Sequence, residues 1–275
     1  MLLACTANQD VAHIARQCAQ RGDRPVAPLK VLPESIGRDQ LPSTGAGIAC
    51  AIGGPRLTSV AWDFDSSPHL VAMGTRGCGK STLLASLAEG VCALGRDAAR
   101  IVFIDQRRSH LGDIPEDMLA AYAATSDAVG SVLADTVATA RTRLPGPDVS
   151  ARQLSERSWW QGPELFVFID DCDLIADHHL AELAELLPHA RDIGLHLVVA
   201  RKAGGAGRAL FQPFLSALKD QVPTVVLFDV DRDEGALFGI KPTAQRPGRA
   251  IWQHGGTTLG TIHVALPESA RKETA

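Results

Sequence analysis

The chain has 275 residues, 45% hydrophobic and 21% charged, with a formal net charge of −4. Those figures suit one large domain with a sizeable core and exclude a globally basic nucleic-acid binder. No apolar run approaches the roughly 20 residues of a membrane-spanning helix, and the six cysteines show no C-x-x-C spacing, so they read as reduced thiols of a cytosolic protein.

In chain order, Leu2-Leu3-Ala4-Cys5 has the look of a lipoprotein cleavage site, but no basic and apolar leader precedes it, and lipidation is not expected. Residues 10–21 show helical periodicity behind an Asp10 cap. Pro25, Pro28, Pro33 and Pro42, with Gly37, Gly45 and Gly47, then break the pattern up to about residue 55. Residues 1–55 are therefore expected to form a helix and a Pro/Gly-rich connector packed on a domain over 56–275. There, strands are predicted at 57–64, 69–73, 100–105, 119–123, 165–170, 195–200, 224–228, 249–253 and 258–264, and helices at 80–94, 126–143, 179–187 and 206–219. Such alternation predicts an α/β domain, its mainly parallel sheet covered by helices on both faces. The last two strands, separated by His254-Gly255-Gly256-Thr257, read as an antiparallel hairpin at one edge.

Gly74-Thr75-Arg76-Gly77-Cys78-Gly79-Lys80-Ser81 is an ungapped G-x-x-x-x-G-K-[ST] phosphate loop between an apolar strand and a helix, the context such a loop requires. Its glycines let backbone N–H groups curl round phosphates, and the helix N-terminus adds partial positive charge at the same point. Lys80 is expected on the β- and γ-phosphates, Ser81 on Mg²⁺, and Thr82 beside them. Lysine supplies only 6 of the 27 basic residues, which makes Lys80 inside the motif more telling. The motif thus calls for ATP with Mg²⁺.

Leu165-Phe-Val-Phe-Ile-Asp170-Asp171 supplies the second half of such a site, an apolar strand ending in acid, with Asp170 expected to order the Mg²⁺ shell. Asp171 stands where a hydrolytic motor commonly carries glutamate to orient the attacking water. Its carboxylate falls about 1.5 Å short, so hydrolysis is expected to be slow or absent. Asp173 reads as a surface residue or helix cap. The strand over 195–200 ends in Arg201 and Lys202, with Arg201 a candidate γ-phosphate sensor or a solvated charge. Arg191 reads as a helix-terminal charge or a reach toward a neighbour's nucleotide. Asp177-His178-His179 lacks a complementary ligand set and reads as a solvated helix start. Trp159-Trp160 reads as a packed cap over the core, with an exposed partner contact as the alternative.

Five stretches carry a family likeness: Ile104-Asp105-Gln106-Arg107-Arg108, Arg143-Leu-Pro-Gly-Pro-Asp148, Ser158-Trp-Trp-Gln-Gly-Pro-Glu164, Ile169-Asp-Asp-Cys-Asp-Leu174 and Ala190-Arg-Asp-Ile-Gly-Leu-His196, of which Leu144–Asp148 and Ser158–Trp160 are far more specific than the phosphate loop. Over roughly residues 10–266 they resemble the EccC ATPases of type VII secretion systems, relatives of the FtsK/SpoIIIE translocases, and within those the last of the tandem ATPase domains. The resemblance implies a RecA-like P-loop fold, nucleotide binding by Gly74, Gly79, Lys80, Ser81 and Asp170, and a cytoplasmic motor docked at an inner-membrane secretion complex. It also implies contact with sister ATPase domains and with small WXG-type export substrates through their C-terminal signal. Arg201 stands where the translocases have glutamine, and with Asp171 this departs from an efficient motor. A DNA translocase would need a basic DNA-facing surface, so nucleic acid is not an expected partner. Apolar stripes at Leu180, Leu183, Leu186 and Leu187 and at Leu210, Phe211, Phe214, Leu215 and Leu218 are expected to pack on the sheet, with any surplus forming a peptide groove.

Overall fold

The computed structural model describes residues 8–21, 30–42 and 45–268. Cys5, Pro25 and Pro28 lie outside the described residues. Chain contacts divide the protein into two compact units, Met1–Val31 and Leu32–Ala275. In the first, α1 (Asn8–Gln20) is a 13-residue amphipathic helix with Val11 and Ile14 more than half exposed. The second unit holds the remaining elements. Its start at Leu32 places the expected 55/56 boundary inside a β-hairpin.

That hairpin consists of β1 (Ile48–Gly53) and β2 (Thr58–Trp62), and it belongs to a ten-stranded sheet. The other strands are β3 (His69–Gly74), β4 (Ala99–Ile104), β5 (Leu119–Ala123), β6 (Glu164–Ile169), β7 (Leu195–Lys202), β8 (Thr224–Leu227), β9 (Arg249–His254) and β10 (Thr257–Val264), in the order β2-β1-β10-β9-β8-β3-β7-β6-β4-β5. From β8 to β5 all pairings are parallel, and from β8 to β2 all are antiparallel. The β9–β10 hairpin therefore does not end the sheet, because β1 pairs with β10 and leaves β2 at the edge. The glycines and prolines flanking Ile48–Gly53 hide this short apolar strand from a periodicity reading. Residues 36–38 add a strap, with Arg38 N donating to Leu266 O and Leu266 N to Ile36 O.

The strands between β8 and β4 read as near-continuous apolar runs because both sheet faces are covered. One face carries α2 (Lys80–Cys92), whose Leu83, Leu84 and Leu87 pack with Trp62, Phe103, Phe166 and Phe168. The other carries α3 (Ser126–Arg141), α5 (Asp177–Leu186) and α7 (Pro213–Asp220), packed over Val71, Val167, Leu197 and Val199. Short α4 (Ala151–Glu156) starts at a Ser150 capping box, and α6 (Ala206–Ala209) precedes α7. The predicted single helix over 206–219 is two helices, since Pro213 opens α7 at its first position.

The Arg143 and Ser-Trp-Trp stretches meet at the N-terminal edge of the sheet. The Arg143 guanidinium lies 4.5 Å over the Trp160 ring and donates to Ile193 O at 3.1 Å and to Pro163 O at 3.0 Å. Trp159 Nε1 donates to Arg143 O at 2.7 Å, and Trp160 Nε1 to Asp192 O at 2.8 Å. The motif joins the end of α3 to the entries of β6 and β7, far along those strands from the phosphate loop. Replacing Arg143 by lysine removes the planar fork and the ring stack, and is expected to cost ~1–2 kcal/mol in urea unfolding.

Candidate nucleotide site

The phosphate loop sits where the geometry of an open parallel sheet puts ligands, at the C-terminal ends of its strands. β3 is buried at every position and ends at Gly74. A Cβ on Gly74 would stand 2.6 Å from Cys78 Sγ and 2.7 Å from Phe228 Cβ, so only glycine lets the loop fold back there. Gly79 caps α2 with φ 115°, in the region that glycine alone adopts readily. The loop is tied down by Asp229: Thr75 N donates to Asp229 O at 2.8 Å and Thr75 Oγ1 to Asp229 Oδ2 at 3.1 Å. Arg76 and Gly77 are exposed at its crest, while Cys78 is buried and its thiol pKa is raised by that burial. Among the described residues Cys18, Cys50, Cys78, Cys92 and Cys172 are all free thiols.

Lys80, the first residue of α2, is only 8% exposed, and its ammonium turns into the loop. It donates to Gly74 O at 3.0 Å and Thr75 O at 2.8 Å. Ser81 follows and donates to Asp170 Oδ2 at 2.8 Å, while Thr82 is half-buried beside it. A hydroxyl and a carboxylate in direct contact at a helix N-terminus form an all-oxygen donor pair of the kind Mg²⁺ takes. The residues present fit a magnesium nucleotide: loop N–H groups and Lys80 for phosphate, Ser81 and Asp170 for the metal.

Sequence reading quoted Asp105–Arg108 only as part of a family likeness and gave this segment after β4 no role, yet it embraces both acids. Asp105 is 1% exposed and anchors this segment. Its carboxylate accepts from Arg107 N at 3.2 Å, His110 N at 2.7 Å and Tyr122 Oη at 2.7 Å. His110 is thereby buried against Phe103, with Nε2 3.4 Å from Asp170 Oδ2 and Nδ1 3.3 Å from Asp113 Oδ2. Burial opposes its protonation, but Asp170, Asp105 and Asp113 outweigh that and raise its pKa. Burial likewise pushes Asp170 up, and His110, Ser81 and the Asp171 N–H outweigh it, holding the carboxyl below its ordinary value. Arg107 forms an ion pair with Asp171. Asp171 sits in left-handed backbone at φ 49°, and burial, then the Asp170 charge, raises its pKa against the pull of Arg107.

Arg201 is not on the phosphate side. Side chains alternate along a strand, and the register sets Ile169 beside Val199 and Gly74 beside Lys202. Asp170 continues the Phe166–Phe168 row that faces α2, whereas Arg201 continues the Leu197–Val199 row that faces α5 and α7. The γ-phosphate-sensor reading of Arg201 is thereby corrected: its side chain lines a cavity of ≈ 290 Å³ with Asp173, Asp177, Leu180 and Phe214. Lys202, one residue on, shares the face of Ala200 and Gly74, a parity the strand pattern carried unused. Asp173 caps no helix either; its Oδ1 accepts from Lys202 N at 3.1 Å. The His178 and His179 rings lie 3.9 Å apart between centroids, tilted by 45°, and His179 packs on Gly130 of α3. Among the described residues no cluster of three His, Cys, Asp or Glu side chains could hold a metal ion. The stripes on α5 and α7 are buried in the core, and Phe211, 84% exposed, is the apolar side chain left over.

The fold and site define an FtsK/SpoIIIE-like P-loop ATPase domain. No protein-family model matches the chain. It is 38% identical over 274 residues to the ESX secretion system protein EccC of Thermomonospora curvata, covering 96% of this chain and 21% of that protein. It is 39% identical over 254 residues to the ESX-4 secretion system protein EccC4 of Mycobacterium tuberculosis, covering 89% of this chain and 21% of that protein. A solved structure of Thermomonospora curvata EccC, comprising ATPases 2 and 3 in complex with a signal sequence peptide, matches at a TM-score of 0.82 and 36% identity, over 96% of this chain and 50% of that one. The chain is a homologue of the EccC ATPases of ESX, or type VII, secretion systems, and it spans about a fifth of the length of these two relatives.

The Asp105 anchor yields a stability prediction. Asp105→Ala strands the buried His110 N–H and the part-buried Arg107 N–H and Tyr122 hydroxyl, and is expected to cost ~2–4 kcal/mol in urea unfolding, with faster amide exchange over residues 106–110.

Proposed function

We propose that the chain is the last ATPase module of an EccC-type secretion motor, that it binds Mg·ATP and hydrolyses it slowly, and that it holds the C-terminal signal of a small WXG-type export substrate. The observation that carries the nucleotide reading is the 2.8 Å contact between Ser81 and Asp170, at the mouth of a loop whose lysine is already in place. Bound Mg²⁺ supplies neutralisation of the β- and γ-phosphate charge. Loop N–H groups and Lys80 orient the phosphates, and Lys202, on the phosphate face, is the cation placed to follow the γ-phosphate. Slow turnover follows from Asp171, too short for the water-orienting position and engaged by Arg107. Relatives act at a secretion system, which supports a cytoplasmic module docked at an inner-membrane complex beside sister ATPase domains.

Substrate contact is carried by the cavity between the end of β7, α5 and the start of α7. Leu180, Phe214 and Leu215 make its apolar floor, and Arg201, Asp173 and Asp177 its charged rim. Apolar anchors flanked by a few charges suit a short peptide held with micromolar strength, about −8 kcal/mol. The relative solved with a signal sequence peptide supports peptide binding by a domain of this kind, and the choice of this cavity rests on its lining.

Lys80→Ala is expected to abolish Mg·ATP binding measured by calorimetry, since it removes the charge-assisted phosphate contact. Unchanged affinity would overturn the nucleotide reading. Steady-state turnover of the parent chain is expected far below the roughly 1–100 s⁻¹ of efficient phosphoryl-transfer enzymes, and a rate of several per second in a monodisperse sample contradicts it. C-terminal peptides of WXG-type substrates from the same system are expected to bind with micromolar Kd, weakened about tenfold by Arg201→Glu. Absence of binding below about 1 mM removes substrate reading from this chain.

A further inference from the structure

We propose that Arg107 is a brake on hydrolysis, engaging the Asp171 carboxylate that the reaction needs; this rests on the nucleotide reading above. In hydrolysis the oxygen of a water forms a bond to the γ-phosphorus while its proton passes to a carboxylate oxygen. The bond from the γ-phosphorus to the bridging oxygen breaks with its electron pair going to ADP, and inorganic phosphate departs. Asp171 is the carboxylate next to the proposed metal ligand Asp170, and the Arg107 guanidinium pairs with its Oδ2. While the pair holds, that oxygen is turned toward the cation, which draws on its charge and weakens it as a proton acceptor from a water.

Three features make the pair a built device. The Arg107 backbone cannot drift, because Asp105 holds the segment through Arg107 N, His110 N and the Tyr122 hydroxyl. Asp171 is aimed from its own side by left-handed backbone and by its N–H, which donates to Asp170 Oδ1 at 3.0 Å. The Arg107 side chain is 54% exposed and the Asp171 side chain 19%, so the arginine can swing into solvent while the acid stays. The pair is therefore breakable without moving the strands, which a brake requires and a structural staple does not.

The test uses the 275-residue chain with Arg107→Ala, Arg107→Lys, Asp171→Asn and the Ala/Asn double variant. Arg107→Ala is expected to raise steady-state ATP turnover about fivefold, the rate equivalent of releasing an exposed ion pair. Its Mg·ATP affinity, read by displacement of a fluorescent nucleotide, is expected to change by less than about threefold, because the arginine contacts the acid and not the loop. Arg107→Lys, which keeps the charge, is expected to fall between parent and Ala, and Ala in the Asp171→Asn background is expected to give no gain over Asp171→Asn alone. Nucleotide-free melting supplies a readout independent of turnover. Arg107→Ala is expected to lower Tm by about 2 °C by leaving the Asp171 carboxylate beside Asp170 without its cation, and Asp171→Asn to restore it in the double variant. Turnover equal to or below the parent's in a folded Arg107→Ala protein that still binds Mg·ATP overturns the brake. Failure of the parent chain itself to bind Mg·ATP overturns the nucleotide reading and the brake with it, and the melting cycle then identifies the pair as purely structural.

Discussion

Everything at the site depends on the burial of β3. It lies between β7 and β8 with both faces covered, so each of its backbone polar groups must be paired within the sheet. Parallel pairing in turn brings Gly74, Lys202 and Leu227 out at one edge, where Ala203 N donates to Gly74 O and Phe228 N to Met73 O. The phosphate loop leaves from a platform that cannot shift without breaking the central sheet.

The same platform divides the chemistry between two faces. Period-2 alternation sends Asp170 and Lys202 toward the α2 side and Arg201 toward the α5 and α7 side. The proposed nucleotide and peptide sites thus draw on the same strand ends without competing for side chains. Asp173 ties the two faces, since the loop that begins with Asp170 and Asp171 also receives the backbone N–H of Lys202. A shift of this short loop would be felt on both sides of the sheet.

Local patterns made much of this legible. The loop 74–81 carries its glycines, lysine and serine at fixed offsets, and the run 165–170 ends in acid, so both members of the Ser81–Asp170 contact were readable as candidates before any fold. Strand β5 was predicted at its observed bounds, Leu119–Ala123, and α2 at its observed start, Lys80. Strand β1 was not readable, because six residues bounded by glycines carry too short a period to separate a strand from a connector. Helices α6 and α7 were fused for a related reason: their apolar spacing runs on across Pro213, whose interruption lies in the backbone and not in the hydrophobic pattern.

What the sequence by itself determined are features whose causes lie within a few residues of one another: the glycine geometry of the phosphate loop, the strand-to-helix switch at Lys80, the acid ending β6 and the α/β alternation. Only the tertiary structure decided the long-range partners. Arg107 and His110 reach Asp171 and Asp170 across more than 50 positions of chain because β4 and β6 are neighbours. The face on which Arg201 emerges depends on the register of β7 against β6 and β3. Which strands lie side by side, and in what register, is set by the packing of two helical layers on one sheet, a property of the whole core that no local stretch of residues contains.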